Sequence, residues 1–125
     1  MFDHLTIQVA DVPMSKRFYE VLLGPLGIQP GHQDGGAVGF FSATVPGGFW
    51  LCPARTDETR ELHIAFTAPS RDLVRAFHAA GLAAGGESIY EPQAFPQYHD
   101  SYYAAFVRDP DGHSIEAVCH HSPGT

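Results

Sequence analysis

Residues 2–9, FDHLTIQV, alternate in character, with Leu5, Ile7 and Val9 on one side and His4, Thr6 and Gln8 on the other. That period of two predicts a half-buried strand. At Asp11 the period lengthens. Asp11 can cap a helix, Pro13 suits its first turn, and Met14, Phe18, Val21 and Leu22 recur at helical spacing until Gly24-Pro25 stops it. Two glycine-punctuated strands follow, at 36–44 and 48–52, joined by VPGG. Residues 53–60, PARTDETR, are polar and aperiodic and read as a linker.

The pattern then restarts. ELHIAFTA, residues 61–68, sets Leu62, Ile64 and Phe66 against His63, Ala65 and Thr67. Ser70 is a plausible N-cap, and Leu73, Val74, Phe77 and Ala80 form an apolar helical face that ends at Gly81 or at Gly85-Gly86. A short strand at 87–91, a long loop at 91–101, a strand SYYAAFVR, a DPDG turn and a last strand HSIEAV complete the chain. The order β-α-β-β-β, linker, β-α-β-β-β is an internal repeat. It places one module at 1–53 and a second at 61–119 within a single domain of 125 residues. Laying Gly48 over Gly112 puts Pro46 over Pro110 and Cys52 over Glu116.

The alternation also exposes a misfit. Glu116 stands in the middle of the last strand, on the face opposite Ile115 and Ala117, and the same parity holds for His4 and His63. Two imidazoles and a carboxylate are the ligand set of a facial triad, which leaves open positions on a divalent metal. The histidines occupy equivalent positions in the two repeats. A solvated polar sheet face is the competing explanation.

Composition narrows the partners. The formal charge is −7 without a Lys/Arg cluster, which argues against nucleic acid and anionic membrane surfaces. No apolar run approaches a membrane span, and the N-terminus lacks the features of a signal peptide. Two cysteines, Cys52 and Cys119, do not make a disulfide framework, so a cytoplasmic location is expected.

The stretches DHLTIQVAD with RFYE, LHIAFTAPS with AFHAAG, and above all YYAAFVRDPDGHSIEAV resemble the vicinal oxygen chelate superfamily, which includes glyoxalase I, bleomycin-resistance proteins and extradiol dioxygenases. The resemblance covers nearly the whole length and is nearest to small glyoxalase-like members. It implies an α+β fold: two βαβββ modules forming a curved mixed-sheet barrel with helices outside. It implies His4, His63 and Glu116 as ligands of a divalent ion (Zn, Ni, Mn or Fe). It also implies a homodimer, with the barrel closed within one chain or by modules from two.

Three functions are consistent with that resemblance. The leading one is a glyoxalase-like lyase or isomerase, whose metal chelates neighbouring oxygens of a small substrate and stabilises an enediolate. The others are an Fe(II) extradiol-type dioxygenase and a metal-free drug-binding protein. Glyoxalase I enzymes add a glutamate ligand on the last strand of the first module, and Cys52 falls near that position. Arginines that such relatives use for glutathione carboxylates are absent between Arg75 and Arg108. Tyr102, Tyr103, His99 and Tyr98 are candidates to donate to charge or move a proton; adjacent Tyr102 and Tyr103 must point to opposite faces. Trp50 shares the parity of Cys52, and both are candidates for the cavity wall. Cys119, His120 and His121 look like a metal cluster, but neighbouring strand residues diverge.

Overall fold

The computed structural model describes residues 2–56 and 61–123. The first module runs β1 (His4–Val9), α1 (Val12–Leu23), β2 (Ile28–Asp34), β3 (Ala37–Ser42) and β4 (Gly48–Pro53). The second runs β5 (His63–Thr67), α2 (Arg71–Ala83), β6 (Glu87–Ala94), β7 (Tyr103–Arg108) and β8 (Ser114–Cys119). Both caps read from the sequence form. Asp11 accepts from the Met14 amide at 3.0 Å and Ser70 from the Leu73 amide at 3.2 Å. Each satisfies an amide that has no partner within its helix.

The eight strands make two four-stranded sheets, ordered β1-β4-β3-β2 (sheet A) and β5-β8-β7-β6 (sheet B). In each, the first strand of the module lies parallel to the last and the other pairings are antiparallel. The two βαβββ modules expected from the repeat are thus present, each with its own four-stranded ladder. Among the described residues each ladder has a helix on one face and none on the other, and the linker expected at 53–60 falls partly outside those residues.

One core joins the modules. Phe18, Tyr19, Leu22 and Leu23 of α1, Val74 and Phe77 of α2, and the helix-side residues Ile7, Val9, Leu51, Val107, Ile115 and Ala117 are buried together. Phe49 of β4 meets Phe66 of β5 edge-on across the module boundary, with centroids 5.4 Å apart. α2 does not stop at Gly81. A Cβ there would lie 2.9 Å from Leu22 Cδ1 and 3.1 Å from Val107 Cγ1, so the glycine marks a close approach of helix, helix and strand.

Four strands are edges, and they are not alike. The outer ones, β2 and β6, contain Pro30 and Pro92 and have broken register. The inner ones, β1 and β5, have unbroken register and neither proline nor glycine. Near them Phe2, Leu5 and Leu62 stay exposed, at 80%, 41% and 40%.

Candidate metal and substrate site

β8 is an interior strand of sheet B, and Glu116 is 2% exposed, on the helix-free face between Ala65 of β5 and Phe106 of β7. A carboxylate so buried needs partners for both oxygens. His63, one diagonal step away on β5, brings Nε2 to 2.8 Å from Oε1. The Tyr102 hydroxyl donates to Oε2. Burial, then the bond to Glu116, raises the Tyr102 pKa well above the usual phenol range, so it stays a donor.

The imidazole of His63 is held on two further sides. Its Nδ1 lies 3.0 Å from Ser114 Oγ, and its ring stacks on Phe106 with centroids 5.5 Å apart. A second apolar cluster backs this face: Phe95, Ala104, Phe106 and Val118, with Ile89 and Tyr102 against it. The loop after β6 supports Tyr102. His99 accepts from the Ser101 amide through Nδ1, places Nε2 2.9 Å from His120 Nδ1, and sets its ring 5.3 Å from that of Tyr102. His99 therefore props Tyr102 through ring contact and is bonded to His120. Tyr103 takes the opposite face, as parity requires. Its hydroxyl accepts from Arg75 and its ring lies under Arg71, away from Glu116.

His4 stands on the equivalent face of sheet A, where Asp3 Oδ1 is 2.7 Å from its Nδ1. In His4 Nδ1 is the engaged nitrogen, which leaves Nε2 for a ligand, whereas His63 engages Ser114 through Nδ1 and Glu116 through Nε2. With Asp3, Thr6, Phe41, Gly47, Gly48 and Trp50, His4 lines an open hollow of about 550 Å³. Within one chain His4 does not join His63 and Glu116: among the described residues no three His, Cys, Asp or Glu side chains converge. A larger hollow, of about 900 Å³ between the start of α1 and the β2–β3 hairpin, contains none of the three.

The ladders correct the repeat alignment. His4 pairs with Gly48 and Thr6 with Trp50, whereas His63 pairs with Ser114 and Ala65 with Glu116. Superposing His4 on His63 thus makes Trp50, not Cys52, the counterpart of Glu116. Cys52 sits two residues further along, half-buried and opposite Gln8. The Cys119-His120-His121 set disperses. Cys119 turns into the core as a free thiol, and its sulfur accepts from the His121 amide. The sequence pattern alone does not single out Ser114, Phe106 or Asp3. Ser114 could have been found from its register opposite His63.

The chain belongs to the Glyoxalase/Bleomycin resistance protein/Dioxygenase superfamily, whose family model matches residues 1–117. A glyoxalase/bleomycin resistance protein from Albidiferax ferrireducens T118 is 35% identical, with a TM-score of 0.83 over 95% of this chain and 98% of that one. A glyoxalase/bleomycin resistance protein/dioxygenase family enzyme from Burkholderia phytofirmans PsJN shares the fold at 17% identity, TM-score 0.76, covering 95% and 98%. So does lactoylglutathione lyase from Agrobacterium tumefaciens, at 16% identity and TM-score 0.72, covering 95% and 92%. No curated protein matches the chain. Among the described residues no helix is long and apolar enough to cross a membrane.

Proposed function

We propose that the protein is a divalent-metal-dependent enzyme that chelates neighbouring oxygens of a small substrate and stabilises an enediolate-like oxyanion. The reading rests on one observation: His63 Nε2 and Glu116 Oε1 face each other at 2.8 Å on a helix-free sheet face. Two adjacent ligands at ~2.0–2.1 Å from one ion, at right angles, lie about 2.9 Å apart. The pair therefore fits a cation in place of the proton it now shares.

The third donor, His4, comes in this reading from a second copy. β1 and β5 carry the two histidines, are open edges, and lack the prolines and irregular pairing that blunt β2 and β6. An edge with free amides and carbonyls is a template for another strand. Pairing β1 of one copy with β5 of the other covers Leu5 and Leu62, joins the sheets, and brings His4 beside the other copy's His63. A twofold axis then makes two such sites.

Bound there, the metal supplies Lewis-acid stabilisation of the substrate's developing oxyanion. The residues of the chain do the rest. Tyr102 keeps Oε2 of Glu116 occupied and leaves Oε1 for the ion. Ser114 and Phe106 fix the His63 ring. The free cysteines accord with a reducing compartment.

Elemental analysis of the untagged protein, repeated on His63→Ala and Glu116→Gln, tests the proposal. Metal equimolar with chain, lost in both variants, is the expected result. Wild-type protein with near-zero metal after growth in metal-supplemented medium would leave a metal-free binding protein instead.

A further inference from the structure

Gly39 on β3 and Gly48 on β4 lack side chains where the Trp50 indole crosses the helix-free face of sheet A. A Cβ on Gly39 would lie 2.7 Å from both Cε2 and Cζ2 of the indole, and one on Gly48 would lie 3.1 Å from Nε1. The Nε1–Cζ2 edge of the indole therefore runs close over two neighbouring strands, and Phe41 approaches the same two glycines, at 2.9 Å from either Cβ position. Phe41 stands nearly perpendicular to it, with centroids 5.8 Å apart at 87°, and His32 does the same at 5.9 Å and 76°. The outcome is an aromatic surface in which Trp50 and Phe41 line the same hollow as His4.

Two further observations bear on what this surface receives. Trp50 occupies the register that sheet B gives to Glu116, so this strand presents an aromatic face where its counterpart presents a carboxylate. No lysine or arginine lines the hollow, and Asp3 does. A multiply anionic peptide conjugate finds no counter-charge there, whereas a flat uncharged ring finds a surface of its own shape.

We propose that Trp50 stacks a planar aromatic ring of the substrate, so that the site takes aryl compounds bearing two adjacent oxygens in preference to peptide–thiol conjugates. The inference deepens the metal-site reading and rests on it for the oxygens, which lie toward His4. Stacking adds to simple burial by an amount that corresponds to about tenfold in affinity.

Trp50 is the only tryptophan in the chain, so its fluorescence reports the contact directly. Metal-loaded protein is titrated with catechol, with cis-cyclohexane-1,2-diol, which keeps the oxygens and loses the flat ring, and with S-methylglutathione. Catechol is expected to quench saturably and to bind about tenfold tighter than either. Gly39→Ala, which displaces the indole, should remove that advantage. Trp50→Leu, read by calorimetry, should do the same and covers the case in which the glycine variant fails to fold. Equal binding of the saturated diol, tighter binding of S-methylglutathione, or displacement of catechol by tetramethylammonium at lower concentration would overturn the proposal. The same titration on metal-stripped protein separates the two readings. A catechol preference in a chain that never takes up metal keeps the stacking and removes the chelate; stoichiometric metal without the preference keeps the chelate and removes the stacking.

Discussion

The hydroxyl of Tyr19, on the helix of the first module, donates to Oδ2 of Asp109, in the β7–β8 turn of the second, at 2.5 Å. Asp109 is 5% exposed, and its other oxygen accepts from the Asp111 and His113 amides. Asp111 continues the clasp, accepting from the Ala10 amide and from Ser15 Oγ. The DPDG turn thus docks one module onto the other, 90 residues apart in sequence. Burial, then Asp109, pushes the Tyr19 pKa well above the ordinary phenol value, so the donor persists. Tyr19→Phe keeps the ring packing and leaves a buried carboxylate short of a donor. It should cost about 2 kcal/mol, read as a lower urea midpoint at unchanged slope.

Mixing two defective chains tests the shared site. In a dimer of His4→Ala with Glu116→Gln chains, one site combines the intact His4 of the second with the intact His63 and Glu116 of the first. The other site carries both defects. Co-expressed and separately tagged, the heterodimer should hold half the wild-type metal, while each variant alone holds almost none. No recovery in the purified heterodimer would mean that each chain builds its own site.

Tyr102→Phe removes the donor to Glu116 Oε2 but keeps the ring against Tyr98, Phe95 and His99. Loss of a group that orients a ligand typically lowers metal affinity by about tenfold to a hundredfold. Competition with a chromophoric chelator should show that drop, with the fold intact by circular dichroism. An unchanged affinity would reduce Tyr102 to packing.

His78 on α2 is 8% exposed, with Nε2 2.8 Å from Ser88 Oγ. Burial lowers its pKa from the usual 6.5, against a smaller opposing effect of Glu91. The unfolded chain therefore binds a proton here at higher pH than the folded chain does. This contribution to stability is present above about pH 6.5 and is lost as pH falls toward the lowered folded value. His78→Gln should flatten that fall, so the difference in melting temperature between wild type and variant should shrink from about pH 7.5 to about pH 5.5. A constant difference would assign the His78 environment no titrating role.

Much of the fold could be read because amphipathic elements announce themselves. The alternation in β1 and β5, the caps at Asp11 and Ser70 and the turn before β8 all depend on neighbours in sequence. β2 is not legible in the sequence because IQPGHQD is an edge strand with little to bury, and so carries no apolar rhythm. The β6 strand runs to Ala94, into what reads as loop, because Pro92 is tolerated at an edge. The register error at Cys52 has a similar origin. Matching glycines aligned turn chemistry, yet Pro46 precedes the first residue of β4 by two positions and Pro110 precedes that of β8 by four. The face of each candidate ligand, His4, His63 and Glu116, could be read from parity. That Tyr102 rather than His99 reaches Glu116 could not, since it depends on how the loop after β6 folds back. The separation of His4 from His63 was equally hidden, because a repeat shows that two modules are alike and not which copies meet.

The contrast between the four sheet edges has a consequence for assembly. Among the described residues, strands that invite pairing sit at β1 and β5, and in the proposed twofold exchange each copy uses both at once. What then remains at the rim is β2 and β6, each interrupted by a proline and by irregular pairing. In the proposed dimer, growth of the β-structure accordingly halts at two molecules instead of propagating into a fibre.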